Sequence, residues 1–92
     1  MSGELTSFEL AVHDVLLGVG SGDIMTYGEV ALEAGYPGAA RAVGSFLRNH
    51  SGYPWWRVIA ANGRLVPGLE RDHAARLAAE GVPIENGRVR MR

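Results

Sequence analysis

Over residues 6–22 the apolar positions Phe8, Ala11, Val12, Val15, Leu16 and Val19 recur at the spacing of one helix face. Thr6-x-x-Glu9 supplies the capping box that begins this helix, and Gly18, Gly20 and Gly22 end it. The same signature returns at Thr26-x-x-Glu29. Gly35 is a natural residue just past a helix end, so a short second helix covers roughly 27–34. After the turn "GYPG", the run "AARAVGSFLRNH" puts Ala39, Ala40, Val43, Phe46 and Leu47 on one face, with Arg41 and Arg48 elsewhere. It predicts a third helix over about 38–49. Pro54 then stops the chain. "RVIAANGRLV" reads as a hairpin around Asn62-Gly63, and "LERDHAARLAAEG" as a last helix ending at Gly81. "VPIENGRVRM" is either a second hairpin, around Asn86-Gly87, or a loose tail.

Two short helices joined by a Gly-Pro-Gly turn, the second rich in Ala and Gly and carrying arginine, suggest a helix-turn-helix. The hairpin after it suggests a wing. The expected fold is mostly α with small β-hairpin elements: a winged helix-turn-helix-like single domain spanning residues 1–92. Small helical bundles without a nucleic-acid partner share this pattern, so pattern alone leaves the function open.

Charge sharpens the picture. The net charge of −1 hides a strong segregation. Residues 1–33 carry six acids (Glu4, Glu9, Asp14, Asp23, Glu29, Glu33) and no Lys or Arg, whereas residues 34–69 carry Arg41, Arg48, Arg57 and Arg64 and no acid. All nine cations are arginine, the residue that forks onto phosphates and stacks on bases, although a GC-rich genome also produces that usage. The acid-free window includes Trp55 and Trp56, the two tryptophans of the chain. With no cysteine there is no thiolate nucleophile, disulfide or Cys-based metal site, and His13, His50 and His73 lack a metal-ligand spacing. No cofactor is expected. The N-terminus has no leader-like pattern, and no apolar run approaches the ~20 residues that span a bilayer. The expected location is cytoplasmic, nucleoid-associated if the source is bacterial, and the expected state a monomer.

"TYGEVALEAGYPGAARAVGSFLRN" followed by "PWWRVIAANGRL" resembles the DNA-binding domain of the O6-alkylguanine-DNA alkyltransferases. It is most similar to their non-enzymatic relatives, the alkyltransferase-like proteins. The likeness runs from the first helix through "AAEG". In the repair enzymes the Pro-x-x-Arg motif reads Pro-Cys-His-Arg, and its cysteine accepts the alkyl group; in the alkyltransferase-like proteins tryptophan usually replaces the cysteine. Here Trp55 takes the cysteine position, and Trp56 takes that of the histidine, a departure from both groups.

The resemblance implies a role for each residue. Arg41 matches an arginine that enters the duplex and fills the vacated base position, against the plainer reading of a solvated helix arginine. Tyr27 matches a tyrosine that crowds the phosphate and helps rotate the nucleotide, against a core or capping tyrosine. Ala40 and Gly44 keep the recognition helix thin enough for a minor groove, and Arg48 and Arg64 add DNA contacts. Trp55 forms a wall of the alkylguanine pocket, with Tyr27, Arg57, Asn49, Val66 and Gly68 around it. Arg57 braces the site from within, and Asn49 ties the recognition helix to the Pro-Trp-Trp segment. Trp56 either packs inward, the favoured reading, or contacts the ligand. Glu80 matches the glutamate that supports the enzymes' histidine, or is only a helix-end acid. Many relatives carry a basic residue near Gly68 that is missing here, and Arg71 is the candidate substitute.

These expectations describe a protein that binds double-stranded DNA through the minor groove. It extrudes O6-alkylguanine and holds it without alkyl transfer, marking the lesion for nucleotide excision repair proteins. It would be no enzyme. The rivals are a sequence-specific winged-helix transcriptional regulator and a degenerate DNA repair enzyme, an alkyltransferase or a glycosylase.

Overall fold

A computed structural model describes residues 4–90; Arg92, counted above among the cations, lies outside them. Four helices form where the apolar spacing predicts: α1 (Ser7–Leu17), α2 (Tyr27–Glu33), α3 (Ala40–Asn49) and α4 (Glu70–Ala79). Both capping boxes are made. The Glu9 amide donates to Thr6 Oγ1 at 3.1 Å and the Thr6 amide to Glu9 Oε1 at 2.9 Å. Thr26 and Glu29 repeat the exchange at 3.0 and 2.8 Å. Each box satisfies two amide donors that the first helical turn leaves free.

Gly35, at φ +89°, closes α2, and the Tyr36 amide returns to the Ala31 carbonyl at 2.9 Å. Gly38, at φ +88°, cannot belong to a right-handed helix, so α3 begins at Ala40, two residues later than expected. α2 and α3 pack against each other as a helix-turn-helix pair, with α1 across α2.

The predicted hairpin over 57–66 does not form. Val58–Ile59 (β2) instead pairs in parallel with Met25–Thr26 (β1), with Met25 opposite Val58 and Thr26 opposite Ile59. The cause is burial. Val58 and Ile59 are both fully buried, and successive strand residues point to opposite sides, so this strand must be covered on both faces. Val58 enters a cluster with Val12, Leu16, Val30, Ala31, Val43 and Phe46. Ile59 enters a second cluster with Leu65, Leu77, Val82 and Val89. Asn62-Gly63 makes only a turn, the Gly63 amide reaching the Ala60 carbonyl at 2.9 Å and Asn62 Oδ1 accepting the Arg64 amide at 3.0 Å.

The antiparallel hairpin lies at the second Asn-Gly. Ile84–Glu85 (β3) pairs with Arg88–Val89 (β4), across a turn with both φ positive, 53° at Asn86 and 76° at Gly87. Arg64 adds a bridge opposite Arg88. The wing is therefore built from the C-terminal segment rather than from residues 57–66.

Candidate nucleic-acid interface

The site begins at the β1–β2 ladder. Tyr27 opens α2 directly after β1, and a single 3-10 turn, Trp55–Arg57, leads directly into β2. Two paired rungs thus hold two aromatic residues, distant in sequence, beside one cavity.

That cavity is open, about 640 Å³ in volume and largely apolar. α3 lines it with Ala40, Arg41, Gly44, Leu47 and Arg48; Tyr27 and Trp55 stand opposite, and Val66, Pro67 and Leu69 form its lip. Gly44 brings α3 close to Tyr27: a Cβ there would lie 3.6 Å from an Arg48 guanidinium nitrogen and 4.0 Å from the Tyr27 ring. Burial raises the Tyr27 pKa, with the Arg48 charge opposing, so the phenol stays protonated and able to donate. Arginines on the rim and apolar walls inside suit an anionic polymer outside and a flat, poorly solvated group within.

Trp56 turns the other way. Its Nε1 donates to Glu80 Oε2 at 2.9 Å, and its ring packs with Ile59, Leu65, Leu77, Val82 and Val89. Arg57 binds the same carboxylate through Nε and Nη2, the shortest contact being 2.7 Å, and reaches the Val19 carbonyl through Nη1 at 2.9 Å. The Gly22 amide donates to Glu80 Oε1 at 3.0 Å. These donors, Arg57 first, then Gly22 and Trp56, pull the Glu80 pKa from 4.5 down to about 2. Glu80 is therefore no mere helix-end acid. It fastens the segment after α1, the Trp-Trp turn and the end of α4 together.

Seven of the expected site residues line the cavity: Tyr27, Ala40, Arg41, Gly44, Arg48, Trp55 and Val66. Four do not. Arg57, which the resemblance placed in the pocket and also as a brace from within, is held on the opposite side by Glu80 and the Val19 carbonyl, where it braces the Trp-Trp turn without lining the cavity. Asn49 bonds back one helical turn to Ser45 Oγ at 3.3 Å and does not tie α3 to the Trp-Trp turn. Gly68, at φ +87°, shapes the lip; its amide donates to Glu70 Oε1 at 2.9 Å. Arg64 stands opposite Arg88 on the wing, a like-charge pair open to solvent.

Sequence reasoning missed Leu47, Pro67, Leu69 and above all His73. Leu69, His73 and Leu77 recur every four residues, a core-face signal that the search for metal-ligand spacings passed over. His73 is fully buried. Its Nε2 donates to the Trp56 carbonyl at 2.9 Å, its Nδ1 accepts the Val66 amide at 3.1 Å, and its ring meets Trp55 edge-on at 5.1 Å. Above the tryptophans, the Arg76 guanidinium lies 5.4 Å from the Trp55 ring centre and 4.9 Å from that of Trp56.

Residues 7–82 match the family model described as the DNA-binding domain of 6-O-methylguanine DNA methyltransferase. The chain belongs to this family. Within the family, it is 37% identical to a DNA base-flipping protein of Vibrio parahaemolyticus, over 96% of this chain and 94% of that one. It is 32% identical to alkyltransferase-like protein 1 of Schizosaccharomyces pombe, over 87% and 81% of the two chains. A crystal structure of that yeast protein with damaged DNA containing O6-carboxymethylguanine superposes with a TM-score of 0.79, at 31% identity, covering 89% of this chain and 82% of that one. The Mycobacterium tuberculosis OGT in complex with DNA gives 0.71 at 38% identity, over 84% of this chain but 51% of that one. The fold is thus that of the family's DNA-binding domain, a winged helix-turn-helix-like domain of four helices and two small sheets.

Proposed function

We propose that this protein binds duplex DNA by laying α3 in the minor groove, extrudes O6-alkylguanine into the cavity beside Trp55, and holds it without taking the alkyl group. One observation carries the reading: where the repair enzymes of the family present a cysteine, this cavity has an indole wall, and the chain contains no cysteine at all. Stacking a base on an aromatic ring is worth about 1–3 kcal/mol. Extrusion costs a few kcal/mol and least for a weakly paired lesion, so stacking of that size tips the balance toward the damaged base. Arg41 fills the vacated position in the duplex, Tyr27 crowds the phosphate, and Arg48 and the Arg64–Arg88 pair hold the backbone. The similarity to a DNA base-flipping protein and to an alkyltransferase-like protein supports this assignment.

A protein that holds a lesion without repairing it can act only by marking it. The reading therefore extends to a cytoplasmic monomer that presents the site to nucleotide excision repair. A gel-shift titration of one duplex, with guanine or O6-methylguanine at a single position, tests the core of it. A single buried methylene is worth about 0.8 kcal/mol, so the methyl group alone gives about fourfold preference, and weakened pairing adds to it. Arg41→Ala should lose that preference while keeping most general affinity. Equal affinity for the two duplexes would overturn the reading, as would protein heavier by a methyl group in the mass spectrum after incubation.

A further inference from the structure

His73 is the only fully buried polar side chain among the described residues, and both its ring nitrogens serve main-chain groups of opposite kind. The Trp56 carbonyl can only accept, so Nε2 carries the hydrogen; the Val66 amide can only donate, so Nδ1 carries a lone pair. One neutral tautomer fits both. An imidazolium does not, because its second N–H would face the N–H of Val66. Through these two bonds and its contact with Trp55, the ring joins the back wall of the cavity to the lip Val66–Leu69.

We infer that His73 is a positioning residue that holds the lip against the back wall of the cavity only while neutral, so that protonation frees the lip and weakens the grip on the extruded base. This inference rests on the lesion-holding reading of the cavity. The charged groups around His73 agree with it. On its own helix Asp72 is the neighbouring acid, and it is engaged by Arg76 at 3.2 Å, whose guanidinium covers both tryptophans. From the Trp-Trp turn comes Arg57, neutralised by Glu80, and across Trp55 the α3 wall adds Arg41 and Arg48. The lip itself has no charged residue before Glu70, which is bonded to the Gly68 amide. Burial is the chief pressure keeping the ring neutral; the bond to the Trp56 carbonyl and the charge of Asp72 oppose it, and the pKa lies below the usual 6.5.

The test combines a binding profile with a readout that needs no DNA. Affinity for the O6-methylguanine duplex should fall by up to about tenfold per pH unit below the His73 pKa, beyond any change on the unmodified duplex. His73→Asn retains an acceptor near the Nδ1 position and cannot titrate, so it should bind at neutral pH and show a flat profile. His73→Leu fills the space without the acceptor and should bind weakly at every pH. In free protein, NMR should show His73 Nδ1 unprotonated at neutral pH, with the Val66 amide and Trp55 indole signals shifting on the same titration curve. A His73→Asn profile matching the parent, or Val66 and Trp55 signals indifferent to His73 titration, would overturn the inference. A parent that never discriminates between the duplexes would instead overturn the lesion-holding reading, and the NMR titration would still decide the coupling.

Discussion

Trp55 and Trp56 are consecutive, with rings perpendicular and 6.1 Å between centres, yet they belong to different parts of the molecule. Trp55 lines the open cavity, and its indole nitrogen has no hydrogen-bond partner among the described residues. Trp56 is bound by its nitrogen to Glu80 and by its ring to the second apolar cluster. The residue type is the same, but one indole lines a cavity and the other closes the structure. What separates them is the backbone turn at Trp55–Arg57, which points successive side chains in different directions, together with one carboxylate that captures the second.

The largest expected effect breaks this contrast by truncation. Trp56→Ala should destabilise the fold by about 2–4 kcal/mol, because it empties a half-buried ring site and removes a donor from Glu80. Trp55→Ala should cost about 1 kcal/mol of stability but about 1–3 kcal/mol of lesion affinity, a roughly 5-fold to 150-fold weakening. Denaturant melts and duplex titrations of both variants separate the two roles. If the two variants change stability and affinity in the same proportion, the division of labour is wrong.

A smaller effect isolates the clamp under Trp56. Glu80 has its folded pKa depressed from 4.5 to about 2, so its contribution is complete above 4.5 and is lost as the pH falls toward 2. Glu80→Gln should be less stable than the parent at neutral pH, with the gap closing through that window in thermal melts. His73 acts higher on the scale: its folded pKa is lowered below 6.5, so the unfolded chain takes up a proton first and stability declines as the pH falls below 6.5. The His73 window opens at 6.5 and the Glu80 window at 4.5, and a gap between Glu80→Gln and the parent that stays constant into acid would remove Glu80 from the clamp.

The smallest effect asks how nearly the Trp-Trp turn still fits transfer chemistry. A thiol with pKa ~8.5 is only a few per cent ionised at neutral pH without a base beside it. Trp55→Cys alone should therefore be essentially inactive. Trp55→Cys with Trp56→His places an imidazole where Glu80 already accepts from the indole nitrogen, and should transfer slowly. A labelled-methyl assay, with folding checked by circular dichroism, reads both. Efficient transfer by the single variant would show that Trp56 blocks nothing.

The helices were legible because their determinants are local. Thr6 with Glu9, Thr26 with Glu29 and the glycine at 35 specify caps within a few residues, and the structure forms them. Part of the cavity wall was legible through the family resemblance, which rests on the Pro-Trp-Trp-Arg motif and the small residues of α3. What escaped depends on partners distant in sequence. Asn62-Gly63 and Asn86-Gly87 are the same dipeptide, but the apolar pair Val58–Ile59 before the first had to be covered on both faces, and no window of sequence reveals that Met25–Thr26 supplies the pairing. Arg57 and Asn49 do not line the cavity, for a related reason. Each had a nearer or stronger acceptor than the pocket offered, Glu80 for one and Ser45 for the other. His73 lay on the core face of its own helix, visible to periodicity but not to a search for chemistry.

The parallel ladder of two residues on each side has a consequence in time as well as in space. Tyr27 and Trp55 flank its two strands, so the recognition cavity cannot exist until the chain has closed the long loop between Met25 and Val58. Closing such a loop is an entropic cost met before its contacts reward it, which places this step late among folding events dominated by local helices. A partly folded chain with its helices already wound would present no binding surface. Competence for DNA is therefore acquired all at once, with this long-range pairing, and the β1–β2 ladder should open to solvent only when the whole molecule opens.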